Sequence, residues 1–269
     1  MPSAVTQLIR SAFSTLGIGV TRQSTLDELR VAARHGHDMQ FLLALPHEHR
    51  AAILEALPMS RGQLRQDLFA LSEHGFKRGG YFVEFGAASG VELSNTHLLE
   101  TQFGWTGILA EPGRNWHQAL AANRSCRIEF DCVWTTTGET LTFNESKAGE
   151  FSTLDRFRGE GKHLLNRQSG QRYDVSTISL NDLLVRHGAP ANIDYLSIDT
   201  EGSEYDILSH VDFDRFMFGV VTCEHNFTAN RQRIHDLLSG HGYVRKLEHL
   251  SRFDDWYVAG EALKRERGC

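Results

Sequence analysis

Tyr81-Phe82-Val83-Glu84-Phe85-Gly86-Ala87-Ala88-Ser89-Gly90 decides the fold. Its first five residues are aromatic, apolar or β-branched around one carboxylate, the pattern of a buried strand. The next five are small, and small residues after a strand let the backbone approach a ligand closely. A helix is expected over 91–103, with Asn95 and Thr96 in its early turns. Its N-terminal amides would face that ligand. Glu84 lies inside the strand just before the turn. A carboxylate there would repel a pyrophosphate and accept a hydrogen bond from an ammonium group. Together with the missing G-x-G-x-x-G, this argues against a nicotinamide dinucleotide.

Outward from this stretch, residues 107–111, 127–130, 194–198 and 219–223 read as further strands, with helical spacing over 114–123, 179–187, 203–209 and 229–240. Strand–helix alternation predicts an α/β fold, a doubly wound and mostly parallel sheet covered on both faces. Residues 243–249 and 256–258 flank a polar turn with Asp254 and Asp255, which predicts an antiparallel pair at the sheet edge. Residues 1–79 carry helical spacing interrupted by Pro46 and Pro58, without a β-rich run. They are expected to form a helical N-terminal extension to a domain at 80–269. A polar insertion precedes the helix at 179. It contains Glu150 to Leu154 and the basic residues Arg156, Arg158, Lys162, Arg167 and Arg172, and reads as a long solvated loop.

The formal net charge of -6, with no long basic run, argues against nucleic acid as a partner. No apolar stretch reaches the ~20 residues of a membrane span. The four cysteines, Cys126, Cys132, Cys223 and Cys269, form no CxxC pair, so reduced thiols and a cytoplasmic location are expected.

Ligands of open α/β sheets sit beyond the carboxyl ends of the strands. The second strand ends in Glu111-Pro112, where an acid can take both hydroxyls of a ribose. By itself Glu111 reads equally as a solvated carboxylate. The fourth and fifth strands end in Asp199-Thr200-Glu201 and Glu224-His225-Asn226. Neighbouring strands are ~5 Å apart, so these side chains can converge. Three readings stay open. The groups bind a divalent cation such as magnesium or manganese, which would acidify an acceptor hydroxyl. Or they work without metal, with His225 or Glu201 as general base and Asn226 orienting the substrate. Or they are structural, as is expected for Glu204 at a helix start. Gln63, Gln66 and Asp67, just before the first strand, are candidates to cover the site.

Three segments carry a specific resemblance: Val83-Glu84-Phe85-Gly86-Ala87, 107–112, and Leu196-Ser197-Ile198-Asp199-Thr200-Glu201-Gly202-Ser203-Glu204. Over roughly residues 62–259 the chain resembles the FkbM methyltransferases. The resemblance implies a class I methyltransferase sheet, Rossmann-like, with S-adenosylmethionine as methyl donor and a hydroxyl acceptor, often on a sugar or glycan. It places Glu84, Gly86, Ala87 and Gly90 on the methionine side of the donor; Asn95, from its place in the early turns of the following helix, is expected to bind the donor too. It places Glu111 on the ribose and Asp131 at the adenine edge. The family commonly has lysine where this chain has Ser197, so no role of that lysine carries over. Asp199-Thr200-Glu201 is also similar to the Asp-Gly-Asp segment of metal-dependent macrolide-sugar methyltransferases. That analogy makes Asp199, Glu224 and His225 metal ligands and Glu201 the base, with His225 standing where a second acid is usual.

Overall fold

The structure is a computed structural model that describes residues 21–146, 152–154 and 170–267. Apolar stretches of β-branched and aromatic residues form a seven-stranded sheet. In chain order its strands are β1 (Tyr81–Phe85), β2 (Thr106–Ala110), β3 (Arg127–Glu129), β8 (Asn192–Ile198), β9 (Met217–Glu224), β10 (Tyr243–Lys246) and β11 (Asp254–Ala259), arranged β10-β11-β9-β8-β1-β2-β3. From β3 to β9 all neighbours are parallel, while β11 runs antiparallel to both β9 and β10. This is the expected class I methyltransferase sheet with its antiparallel edge. β1 is central, with Glu84 paired to Leu109 on one side and Ser197 on the other. The parallel strands therefore all deliver their carboxyl ends to one rim.

One face of the sheet presents Val83, Phe85, Ile108, Leu196, Ile198 and Val221 to a buried core with Leu183, Leu184, Ile207, Leu208, Ile234 and Leu238. Those last residues belong to helices at Leu180–Arg186, Glu204–Leu208 and Asn230–Gly240. The first of these starts where Ser179 Oγ accepts the Asp182 amide at 3.1 Å, an N-cap.

Clustering of contacts divides the chain into Met1–Ala44 and Leu45–Cys269. Among the described residues the first unit is one helix, Gln23–Ala44. The helices Arg50–Ala56 and Gln66–Glu73, expected in a separate extension, belong to the second unit. The helix Gln66–Glu73 is buried along almost its whole length, and its Phe69 stacks on Trp256 of β11 at 4.8 Å between ring centroids. A helix buried on every side belongs to the core it enters.

Three further expectations are corrected. The helix at 91–103 begins only at His97. The Ser94 hydroxyl, the Asn95 amide and the Thr96 hydroxyl are held by the Glu84 carboxylate, which captures groups that would otherwise open the helix. Asp254 and Asp255 lie in β11 and are buried, rather than forming a polar turn. The polar insertion contributes strands: β4 (Cys132–Trp134), β5 (Thr140–Glu145), β6 (Thr153–Leu154) and β7 (Gln171–Ser179) form a second sheet ordered β4-β7-β5-β6. It carries its own small core of Cys132, Trp134, Phe143, Leu154 and Val175. Of the basic residues noted in this insertion, Arg172 lies in β7, and Arg156, Arg158, Lys162 and Arg167 lie outside the described residues. No described helix is long and apolar enough to cross a membrane.

Candidate active site

A cavity of about 420 Å³ opens at the carboxyl ends of β1, β2, β8 and β9. The sharp turn after β1 forms one wall. Gly86 has φ +73°, and a Cβ built on it would lie 2.0 Å from the Asp199 carbonyl oxygen. Only glycine lets the turn after β1 touch the end of β8. Ala87 and Ala88 continue this wall.

Glu84 lines the cavity and is 3% exposed. Its Oε1 accepts the Asn95 amide at 2.7 Å, and its Oε2 accepts the hydroxyls of Ser94 and Thr96. Burial pushes this carboxyl up, and Arg124 and the bonded hydroxyls pull it back. Arg124, which sequence reasoning missed, has a fully buried side chain. Its guanidinium donates to Gly90 O at 2.9 Å, Ser94 Oγ at 3.1 Å and Thr96 Oγ1 at 3.0 Å, and pairs with Glu100. One cation thus organises the loop 90–96. Asn95 lines the cavity, donates to Ser197 Oγ at 2.9 Å, and keeps its Oδ1 buried without a partner among the described residues.

Glu111 also lines the cavity. Oε2 accepts the Ala88 amide at 2.8 Å and Oε1 the Gly113 amide at 2.7 Å, so one carboxylate fixes the turn after β1 and the turn after β2. Burial pushes it up to about 7, against the pull of those two amides. Each oxygen keeps a lone pair free for a hydroxyl. Beside it Pro112, Trp116, Cys132, Val133, Phe143 and Leu154 give the cavity an apolar section. Phe143 and Leu154 come from the second sheet. The polar–apolar alternation of Thr140-Leu141-Thr142-Phe143 was the signal that could have revealed them.

Two expected donor residues lie elsewhere. Gly90 does not line the cavity; a Cβ there would sit 2.6 Å from Arg124 Cγ and from Leu120 Cδ1, so its smallness serves packing. Asp131 does not line it either. The chain leaves the main sheet after Glu129 and enters the second at Cys132, and the Asp131 carboxylate turns to Arg186 Nη1 at 3.0 Å.

Asp199, Glu201 and Glu224 do converge, with one oxygen from each within 4.8 Å of the others. The register pairs Ile198 with Cys223, so Asp199 and Glu224 follow as neighbours at the two strand ends. Glu201 is held in a tight turn at φ +59°. The buried Glu204 clamps that turn, accepting the Thr200 and Gly202 amides at 3.0 Å each, which is the structural role expected of it. Asn226 also lines the cavity, with Nδ2 3.5 Å from Glu201 Oε2. Burial, reinforced by Asp199 and Glu201, raises the Glu224 carboxyl well above the usual range.

His225 is not part of this cluster. It follows the last residue of β9 and does not line the cavity. Its Nδ1 accepts the Phe227 amide at 2.9 Å, and its Nε2 lies 3.8 Å from Asp255. Burial lowers its pKa, which keeps the ring neutral. Of the residues expected to cover the site, Gln63 lines the cavity. Gln66 bonds Asp254 Oδ2 at 2.7 Å, and Asp67 is fully buried, accepting the Ser60 hydroxyl at 2.7 Å and the Arg61 amide at 2.9 Å.

No curated protein matches the chain in sequence. Among solved structures, the precorrin-6y C5,15-methyltransferase of Geobacter metallireducens GS-15 is 11% identical over 67% of this chain and 71% of its own, with a TM-score of 0.35. The CurJ carbon methyltransferase is 9% identical over 90% of this chain and 73% of its own, with a TM-score of 0.37. A fibrillarin/Nop5p complex gives 13% identity over 73% and 81%, with a TM-score of 0.34. Likeness at this level says nothing about substrate. The family model described as the methyltransferase FkbM domain matches residues 84–250, well over half of the chain, and the protein belongs to that family.

Proposed function

We propose that the protein transfers the methyl group of S-adenosylmethionine to a hydroxyl of a sugar or glycan. The observation that supports this reading is the meeting, in one cavity, of a donor-type wall and three converging strand-end carboxylates. The residues present fit the donor. Glu111 keeps acceptor capacity for ribose hydroxyls, the buried Asn95 Oδ1 and Glu84 Oε1 suit an ammonium, and Cys132, Val133 and Trp116 offer apolar contacts to a purine.

When bound, S-adenosylmethionine supplies an electrophilic methyl on its sulfonium. The chain's part is orientation and proton removal. The acceptor hydroxyl would lie between Glu201 and Asn226. Its proton passes to the Glu201 carboxylate while its oxygen takes the methyl, and the carbon–sulfur bond breaks. Glu201 can do this alone or beside a divalent cation held in the same cluster.

The test is incubation with S-adenosylmethionine and a panel of neutral glycosides, peptides and hydroxylated lipids, read by the mass added to each. Methylated glycosides with the wild type, and turnover slowed at least tenfold in Glu201→Gln, are expected. Methylation confined to peptides or lipids would replace the acceptor class. Methylation of none, in a protein that binds S-adenosylhomocysteine, would overturn the catalytic reading.

A further inference from the structure

We infer that Asp199, Glu201 and Glu224 form a binding site for one hard divalent cation of the class that takes oxygen ligands (magnesium, manganese or calcium), with His225 outside it. Three observations carry this. The first is spacing. Ligand oxygens around one octahedral ion with bonds of about 2.1 Å lie about 3 to 4.2 Å apart, and those around a larger ion with bonds of about 2.4 Å lie up to about 4.8 Å apart. One oxygen from each of the three carboxylates falls within 4.8 Å of the others.

The second is the state of Glu224. It is 9% exposed, lines the cavity, and its carboxylate accepts no hydrogen bond from any described residue. Buried carboxylates are normally bonded, paired or metal-bound. Glu84, Glu111 and Glu204, in the same region, all accept amides or hydroxyls. Glu224 is the exception among them, and among the described residues the charged groups that act on it most are acids, Asp199 and Glu201 first.

The third is rigidity. Asp199 and Glu224 end adjacent, hydrogen-bonded strands, and Glu201 sits on a turn clamped by Glu204. Three oxygens on fixed backbone leave the other positions of an ion's shell for water and a substrate oxygen. This all-oxygen set suits hard cations rather than zinc or copper. In the proposed reaction, on which this role but not the binding itself rests, the ion would hold the acceptor oxygen and favour loss of its proton to the Glu201 oxygen that does not bind the ion.

The test uses the full chain without donor. Manganese(II) chloride is titrated in, with free ion followed by its paramagnetic resonance signal, and magnesium chloride is used as competitor. One site per chain is expected. Glu224→Gln and Asp199→Asn should each weaken it at least tenfold, and Asp131→Asn, outside the cavity, should leave it unchanged. Retained binding of S-adenosylhomocysteine shows that each variant is folded. Absence of manganese binding at millimolar ion, or equal binding in Glu224→Gln, overturns the inference. The two readings fail separately. Manganese binding without methyl transfer sinks the proposed reaction and keeps the site, absence of manganese binding with methyl transfer intact sinks the site alone, and full transfer in excess chelator sinks the ion's role in the reaction.

Discussion

Replacing Gly86 by alanine tests the contact that joins the turn after β1 to the end of β8, the proposed donor wall and reaction centre. Two costs add. The residue has φ +73°, and an L-residue in the left-handed region costs about 1–2 kcal/mol. The new Cβ would also meet the Asp199 carbonyl oxygen at 2.0 Å, where real contacts are at least 3.0 Å, so two backbones must separate by about 1 Å. Overpacking of this kind costs about 1–3 kcal/mol. Gly86→Ala should therefore lose about 2–5 kcal/mol of stability. Gly104 supplies the control: its φ is +65° and a Cβ on it meets nothing within 4 Å, so Gly104→Ala carries only the backbone cost, about 1–2 kcal/mol. Urea denaturation of both variants isolates the clash as their difference. Calorimetric titration with S-adenosylhomocysteine should show near wild-type affinity for Gly104→Ala. It should show a loss on the order of 100-fold for Gly86→Ala, because a shift of about 1 Å displaces the Ala87–Ala88 wall. If Gly86→Ala matches Gly104→Ala in stability and binds like the wild type, the close approach is not what shapes the donor site.

Glu111→Ala should weaken S-adenosylhomocysteine by about 100-fold, since it would remove the proposed charge-assisted bonds to the ribose together with the anchor of two turns. Because Glu111 titrates near 7, wild-type donor affinity should rise from pH 6 to pH 8 as the carboxylate forms, and that slope should vanish in Glu111→Gln. The sign for stability is opposite: a carboxyl raised from its usual 4.5 to about 7 favours the folded state below pH 4.5, and that contribution, at most about 3 kcal/mol, is lost as pH rises through 7. Asp254, also pushed up to about 7 by burial, adds in the same direction, so ligand-free protein should melt at lower temperature at pH 8 than at pH 6. Arg124→Ala should cost about 3–5 kcal/mol by stranding Glu84 and Glu100, with Arg124→Lys intermediate because an ammonium cannot reproduce the fork; denaturation curves and the donor KM check both. Asp131→Ala should leave donor affinity unchanged by calorimetry, and a tenfold loss would return this residue to the adenine site.

The main sheet was legible because each of its parallel strands is a short apolar run ending in a chemically distinct residue. Tyr81–Phe85 was read to the residue, and the others to within two or three at either end. The strand-end acids were legible for the same reason, since polar groups that abruptly end buried strands must face the rim. What failed was side-chain direction. His225 is adjacent to Glu224 in sequence, yet it lies past the end of β9, where its ring turns toward Asp255. Asp131 follows a strand that stops at Glu129 and changes sheets. The second sheet was missed because its strands are mixed, with β7 opening on Gln171-Arg172-Tyr173-Asp174. Such strands are exposed on one face, and their pairing depends on partners far away in the chain. Residues 91–96 carry the pattern of a helix because nothing local shows that Glu84, in a strand, binds Ser94, Asn95 and Thr96.

The loop held by Asp67 bears on how this catalytic unit can be cut and transplanted. The family pattern begins at residue 84, but Gln63 faces the cavity, Gln66 holds Asp254 beside Glu224, and Phe69 stacks on Trp256. A graft that starts at the first recognisable motif would carry the donor turn and leave part of its enclosure behind, exposing Trp256 and freeing Asp254. A portable piece of this enzyme has to begin ahead of Ser60, upstream of its signature.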